Sequence, residues 1–137
     1  MRIHSEYLTV QTKTRREFMD LTVHVREAAE KSGIRDGLIL ISSLHSNSGL
    51  FVNDGDAGLL QDIEEWIQKL APPRDDYHHG TRLESNASVH LQSLLLNQQA
   101  LVSLASGKLE LGPWQQIVYA ELDGTRPKRI LIKIFGE

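Results

Sequence analysis

The chain has 137 residues, a net charge of −3 and no cysteine, which excludes disulfide frameworks, thiolate metal sites and cysteine nucleophiles. Its length suffices to bury one core, and a composition of 40% hydrophobic and 24% charged residues carries no low-complexity run. Acidic and basic residues interleave, so no footprint for nucleic acid is read, and no apolar run has signal-peptide or membrane-span length; one cytoplasmic domain over 1–137 is expected.

Taken in chain order, "RIHSEYLTVQ" (2–11) is β-branched and aromatic enough for a strand, and Lys13–Arg16 reads as a solvated turn. Thr22 is the expected N-cap of a helix over Val23–Lys31, with Gly33 as its stop. "GLILISSL" (37–44) is an apolar run of strand length, expected at the centre of a sheet, and "GLFVN" (49–53) is a second strand. "AGLLQDIEEWIQKLAPP" places Leu59, Leu60, Ile63, Ile67 and Leu70 on one helical stripe that Pro72 and Pro73 end. "NASVHLQSLLLN" predicts a short helix with Val89, Leu91, Leu94 and Leu95 inward and Ser85 or Asn86 as cap. The C-terminal third is strand-rich: "QALVSLA", a Ser106-Gly107 turn, "KLELG", and "WQQIVYAELDG". After an Asp123-Gly124 turn, "RPKRILIKIFG" is expected to pair back as a hairpin. The order predicts an α+β fold. Ile130, Leu131, Ile132, Ile134 and Phe135 put apolar groups on both faces of the last strand. A second layer, from the chain's own helices or from another subunit, would have to cover them.

Residues 75–90, "DDYHHGTRLESNASVH", contain three of the six histidines. With His45, they raise the question of a metal site, which needs three or four converging ligands. Spacing alone leaves open the alternative of half-buried histidines with satisfied hydrogen bonds. Asp56 in "VNDGDAG" reads as a helix cap or as a group orienting a cation. By themselves Trp114, Gln115 and Glu121 read as a packing aromatic, a turn and an exposed carboxylate, and His4 and His24 as structural or exposed. No P-loop, nucleophile elbow or dinucleotide fingerprint occurs.

The stretches "FVNDGDAGLLQDIEEWIQKLAP", "DYHHGTRLESNASVHLQSLLL" and "GKLELGPWQQIVYAELDGTRPKR", together with the His45 loop, resemble the YjbQ family. The ordered set that carries the resemblance is His45, Asn53, Tyr77-x-His79, Asn86-x-x-x-His90, Leu111-Gly112-x-Trp114-Gln115 and Glu121-x-Asp123-Gly124-x-Arg126. The resemblance implies a compact fold with a β-sandwich-like core of mostly antiparallel strands and two to three helices, assembled as a homotrimer. It implies a pocket near a subunit boundary in which His45, His79 and His90 bind a divalent metal, zinc or similar. Asn53, Asn86, Trp114 and Arg126 would bind a phosphorylated small molecule, and Gln115 and Glu121 would act in catalysis, Glu121 as general base. A secondary thiamine-phosphate synthase activity is attributed to the family. The other reading is a trimeric module that binds metal, phosphate or metabolite without chemistry. Three positions depart from the family's usual pattern: His45-Ser46-Asn47-Ser48-Gly49 replaces a His-Thr-Ser/Thr-Ala-type run, Ser85 replaces Asp, and Asn97 replaces a glycine after the helix.

Overall fold

A computed structural model describes residues 1–79 and 86–137 of the chain. The strands are β1 (Arg2–Val10), β2 (Glu17–Asp20), β3 (Gly37–Ser43), β4 (Ser48–Asp54), β5 (Gln99–Ala105), β6 (Lys108–Leu109), β7 (Gln115–Glu121) and β8 (Lys128–Gly136). The helices are α1 (Thr22–Ser32), α2 (Ala57–Leu70) and α3 (Ala87–Leu96). One sheet has the order β1-β8-β3-β5-β6 and a smaller one the order β2-β7-β4, with antiparallel pairings throughout. The expected α+β class and antiparallel sandwich are found, and β3 is the central strand of the larger sheet.

Period-2 alternation builds the main core. Ile39 and Ile41 of β3 and Ile130, Ile132 and Ile134 of β8 face inward and meet Leu50, Ile117 and Tyr119 of the smaller sheet. Val25, Ala28 and Ala29 of α1 join this cluster, so α1 lies between the sheets. A second cluster lies on the far face of the smaller sheet, where Ala120 and Leu122 meet Ile67 of α2 and Val89 and Leu96 of α3. Fully burying each such side chain contributes about 1.5–3 kcal/mol.

Four expectations are corrected. The C-terminal hairpin does not form: β7 and β8 belong to different sheets, so the Asp123-Gly124 segment crosses between layers. Thr22 is the first helical residue, not the cap. Asp20 Oδ1 accepts its N–H and hydroxyl at 2.9 and 2.6 Å, and the Thr22 hydroxyl accepts the Ile117 N–H at 3.0 Å. On α3 three of the four predicted residues turn outward, Leu91, Leu94 and Leu95 at 40, 73 and 40% exposure; Val89, the fourth, points inward with Ser88, Gln92, Ser93 and Leu96. Gln92 can be buried because its amide donates to Ala71 O and accepts from Arg16, which also binds Glu64. On α2, Ile67 alone of the stripe is fully buried, and Leu70 is exposed.

Other local readings stand. Asp56 caps α2 by accepting the Leu59 N–H at 3.0 Å, and Gly33 closes α1 in the left-handed region. Ser106 and Gly107 both take positive φ, as a two-residue hairpin loop requires. Asn86 precedes α3 but makes no side-chain cap, and Ser85 lies outside the described residues.

Three chain crossings, β1 to β2, β3 to β4 and β7 to β8, occur at the same end of the sandwich, and polar groups close it. Lys128 Nζ donates to Glu121 Oε2 at 2.6 Å and to Asn47 Oδ1 at 3.1 Å, with both charged side chains buried. The hydroxyls of Ser43 and Ser48 bond across the β3–β4 crossing. Lys128→Met would strand a buried carboxylate and should cost about 3–5 kcal/mol. Adding Glu121→Gln should recover most of that loss, measured by urea unfolding of the parent, single and double variants.

Candidate functional site

The crossover end is also where candidate side chains gather. The segment after α2 is braced by Tyr77, whose hydroxyl donates to Pro72 O at 2.7 Å and whose ring lies 4.1 Å from the Arg74 guanidinium carbon. It brings His79 beside His90 of α3, with ring centroids 5.0 Å apart in edge-to-face contact. His79 Nε2 donates to Asn86 Oδ1 at 3.1 Å, and His90 Nδ1 donates to Ser46 O at 3.0 Å. Each ring thus has one nitrogen engaged, with no hydrogen bond to the other among the described residues. Tyr77, His78, His79, Ala87, His90, Leu91 and Leu94 line a cavity of about 400 Å³. Leu91 and Leu94, two of the outward leucines of α3, form one wall of this cavity.

Of the three histidines expected to converge, two do. His45 follows β3, and its Nε2 accepts the Arg129 N–H at 3.2 Å, which places its hydrogen on Nδ1. Burial, then the Lys128 charge, lowers its pKa from the usual 6.5, while Glu121 opposes the shift. Among the described residues no group of three or more His, Asp or Glu side chains is arranged to hold a metal. The His45 loop still adjoins the pair, because Ser46 O receives the His90 hydrogen bond.

Glu121 is not an exposed carboxylate. It is 2% exposed and receives hydrogen bonds from Lys128, from the Tyr119 hydroxyl at 3.1 Å and from the Asp123 N–H at 3.2 Å. Burial, then the neighbouring Glu121 charge, raises the Tyr119 pKa well above its usual value. A general base must reach the proton it removes, and this carboxylate is enclosed. Gln115 has a local role: its Oε1 accepts the Gly112 N–H at 2.8 Å and fixes the turn before β7. Trp114 projects from that turn at 76% exposure and is not a packed aromatic. Asn53 accepts the Asp54 N–H and lines a groove with Trp66 and Leu95. Asn53 pairs with Gln116 while Ser48 pairs with Glu121. The motif residues Asn53 and Glu121 therefore lie toward opposite ends of β7, roughly 17 Å apart along the strand at ~3.4 Å per residue. Arg126 is exposed on the β7–β8 crossing.

Sequence reasoning missed Lys128, Tyr119, Ser43 and Ser48, which complete the buried polar network. Lys128 carried a usable signal, since it shares the parity of Ile130, Ile132 and Ile134 and so had to face inward.

These features define an antiparallel two-sheet sandwich, backed by a helix pair, with a histidine-lined cavity at its crossover end. The family described as UPF0047 protein YjbQ-like matches residues 6–137, and the chain belongs to that family. A UPF0047 protein from Archaeoglobus fulgidus is 43% identical over 126 residues, covering 92% of this chain and 97% of its own. Another, from Methanothermobacter thermautotrophicus, is 36% identical over 137 residues, 100% of this chain and 95% of its own. The crystal structure of a YbjQ-like protein of unknown function from Sulfolobus solfataricus is similar with a TM-score of 0.93. It is 33% identical and the match covers 99% of both chains. No helix among the described residues is long and apolar enough to cross a membrane.

The lowered His45 pKa has a defined sign. The fold favours the neutral ring, so its stabilisation is complete above the unfolded value near 6.5 and is lost as pH falls toward the lower folded value. Stability should therefore drop on acidification through that window. His45→Asn should flatten this part of the pH profile, read by denaturant midpoints between neutral and mildly acidic pH.

Proposed function

We propose that the protein binds a phosphorylated small molecule at the His79–His90 cavity, with a divalent metal such as zinc held by these two imidazoles. The observation that carries this reading is the pair itself. Each ring has one nitrogen anchored by an oxygen acceptor, and metal-ligating histidines are oriented in this way. The donor set fits a metal to that extent: two neutral imidazoles supply two positions, and phosphate oxygens and water would complete the coordination. The metal would supply positive charge against the phosphate. Tyr77, Leu91 and Leu94 would pack the organic part, and Asn86 would keep His79 turned toward the ligand. His45 acts through its loop, which receives the His90 hydrogen bond.

Among reactions, the family resemblance favours the joining of a pyrimidine diphosphate to a thiazole phosphate with release of pyrophosphate, in a cytoplasmic enzyme of weak or promiscuous activity. Stabilising the departing diphosphate is the chemistry a metal-bearing pocket serves. A second reading, binding without turnover, is favoured by the enclosure of Glu121 and the turn-capping role of Gln115.

The proposed assembly is a homotrimer through the outer face of the five-stranded sheet. Opposed residues share a face, which sets Ile3, Phe135 and Leu38 in one row and Tyr7 and Leu131 in another. Leu40 and Leu101 adjoin them, and Ile3, Tyr7 and Leu101 are 66, 54 and 60% exposed. The chain's own helices pack between the sheets or against the smaller sheet, so they leave this face open among the described residues. A largely apolar face of this kind, interrupted by Lys133 and Ser5 in its middle row, suits an interface, and a closed ring of three would satisfy it by rotation.

Metal analysis of untagged protein should find a divalent ion that His79→Ala and His90→Ala each reduce by more than tenfold in affinity. Occupancy should also fall in acid, because only neutral imidazole ligates. Parent-like metal content in both variants would defeat the metal reading. Light scattering should give about three times the 15.5 kDa chain mass, and Leu101→Glu with Tyr7→Glu should reduce it to the monomer. A monomeric parent would refute the assembly.

A further inference from the structure

We infer that the rim formed by the loop after β1 and the β7–β8 crossing is an anion subsite that takes the diphosphate end of the ligand. This inference rests on the cavity reading above and adds residues to it. Two separate basic segments, "QTKTRR" (11–16) and "GTRPKR" (124–129), contain six of the chain's 15 cations: Lys13, Arg15, Arg16, Arg126, Lys128 and Arg129. The fold joins them. Gly124 N–H donates to Arg15 O at 3.0 Å, Gln11 Nε2 to Thr125 O at 3.1 Å, and the Thr12 hydroxyl to Gly124 O at 3.3 Å.

The six cations have different environments. Lys128 is paired below the surface with Glu121, Arg16 is paired half-buried with Glu64, and Arg129 lies over the Tyr7 ring on the outer sheet face. Lys13, Arg15 and Arg126 remain exposed at the rim. Two carboxylates stand with them. Asp123 is bound by Arg15 at 2.6 Å, and Glu17 Oε1 accepts the backbone N–H groups of Lys13 and Thr14 at 3.1 and 3.2 Å. Lys13 and Arg126 have no ion-pair partner among the described residues, and Arg15 is 75% exposed with donors to spare. Exposed, closely tethered cations with acceptor-binding capacity suit phosphate oxygens, for which guanidinium offers paired donors.

The crossing that carries the rim and the cavity adjoin the same loop: Lys128 binds Asn47, the Arg129 N–H binds His45, and Ser46 O binds His90. A ligand with an organic body and a diphosphate tail matches that succession of a carbon-lined cavity and a cationic rim.

Calorimetric titration of the full chain with inorganic pyrophosphate, in the presence of a chelator, tests the rim without the metal. Lys13→Gln with Arg126→Gln should weaken binding about tenfold, and binding should weaken with added salt. Lys69→Gln with Lys108→Gln, an equal charge change elsewhere, should bind as the parent does, and so should His79→Ala. An equal loss in the control pair, or none in the Lys13 and Arg126 pair, would overturn the inference. Organic diphosphates separate this inference from the cavity reading. If they bind no tighter than pyrophosphate while the rim variants lose affinity, the rim stands and the cavity reading falls. If they bind tighter and the rim variants are unaffected, the cavity reading stands and the rim falls.

Discussion

The contact between Lys128 and Glu121 joins the two sheets at the end where the chain changes layer three times. Its partners come from β8, β7 and the β3–β4 loop, so the placement of His45, Ser46 and Asn47 depends on it. A buried ion pair gains little net stability over an apolar pair of similar volume. Its consequence here is positional: every donor and acceptor that it satisfies fixes one of the crossings. Among the described residues no buried side-chain polar atom lacks a partner, and the network is complete in that sense.

From that end the polar character continues into α3. Gln92 and Ser93 face inward because Arg16, Gln68, Ala71, Gln98 and Ser48 meet their hydrogen-bonding needs. The helix is consequently rotated, Leu91, Leu94 and Leu95 face outward, and His90 stands beside His79. The cavity is thus a product of how polar groups are satisfied beneath it. Gly49 belongs to the same arrangement: a Cβ there would come within 2.7 Å of the Leu96 side chain and push α3 off β4. Asn97 follows with φ of 71° and ψ of 167°, a backbone region that residues other than glycine rarely adopt.

Some features were readable because they are local. The β-branched and aromatic content of β1, the apolar run of β3, the Ser106-Gly107 loop, the Asp56 cap and the Gly33 stop each depend on a few neighbouring residues. The apolar character of both faces of β8 was readable as well, since Leu131 and Phe135 alternate with three isoleucines. The errors occurred where distant chain sets the outcome. The Asp123-Gly124 turn has the composition of a hairpin, yet Glu121 and Lys128 face each other across two layers. The leucines of α3 were assigned to the core by hydrophobicity, with no account of Arg16, 76 residues earlier, as a partner for Gln92.

The sequence by itself determined the α+β class, most strand and helix positions, the absence of cysteine chemistry and the family, because periodicity, turn chemistry and ordered motif residues are properties of short segments. Tertiary structure alone decided which histidines meet, since His79 and His90 approach through a loop and a helix while His45 is drawn to the Arg129 backbone. It also decided the charge distribution. Acidic and basic residues alternate along the chain, but backbone hydrogen bonds between residues 11–15 and 124–125 bring cations from both ends of the sequence to one rim. Interleaving in one dimension places no constraint on clustering in three.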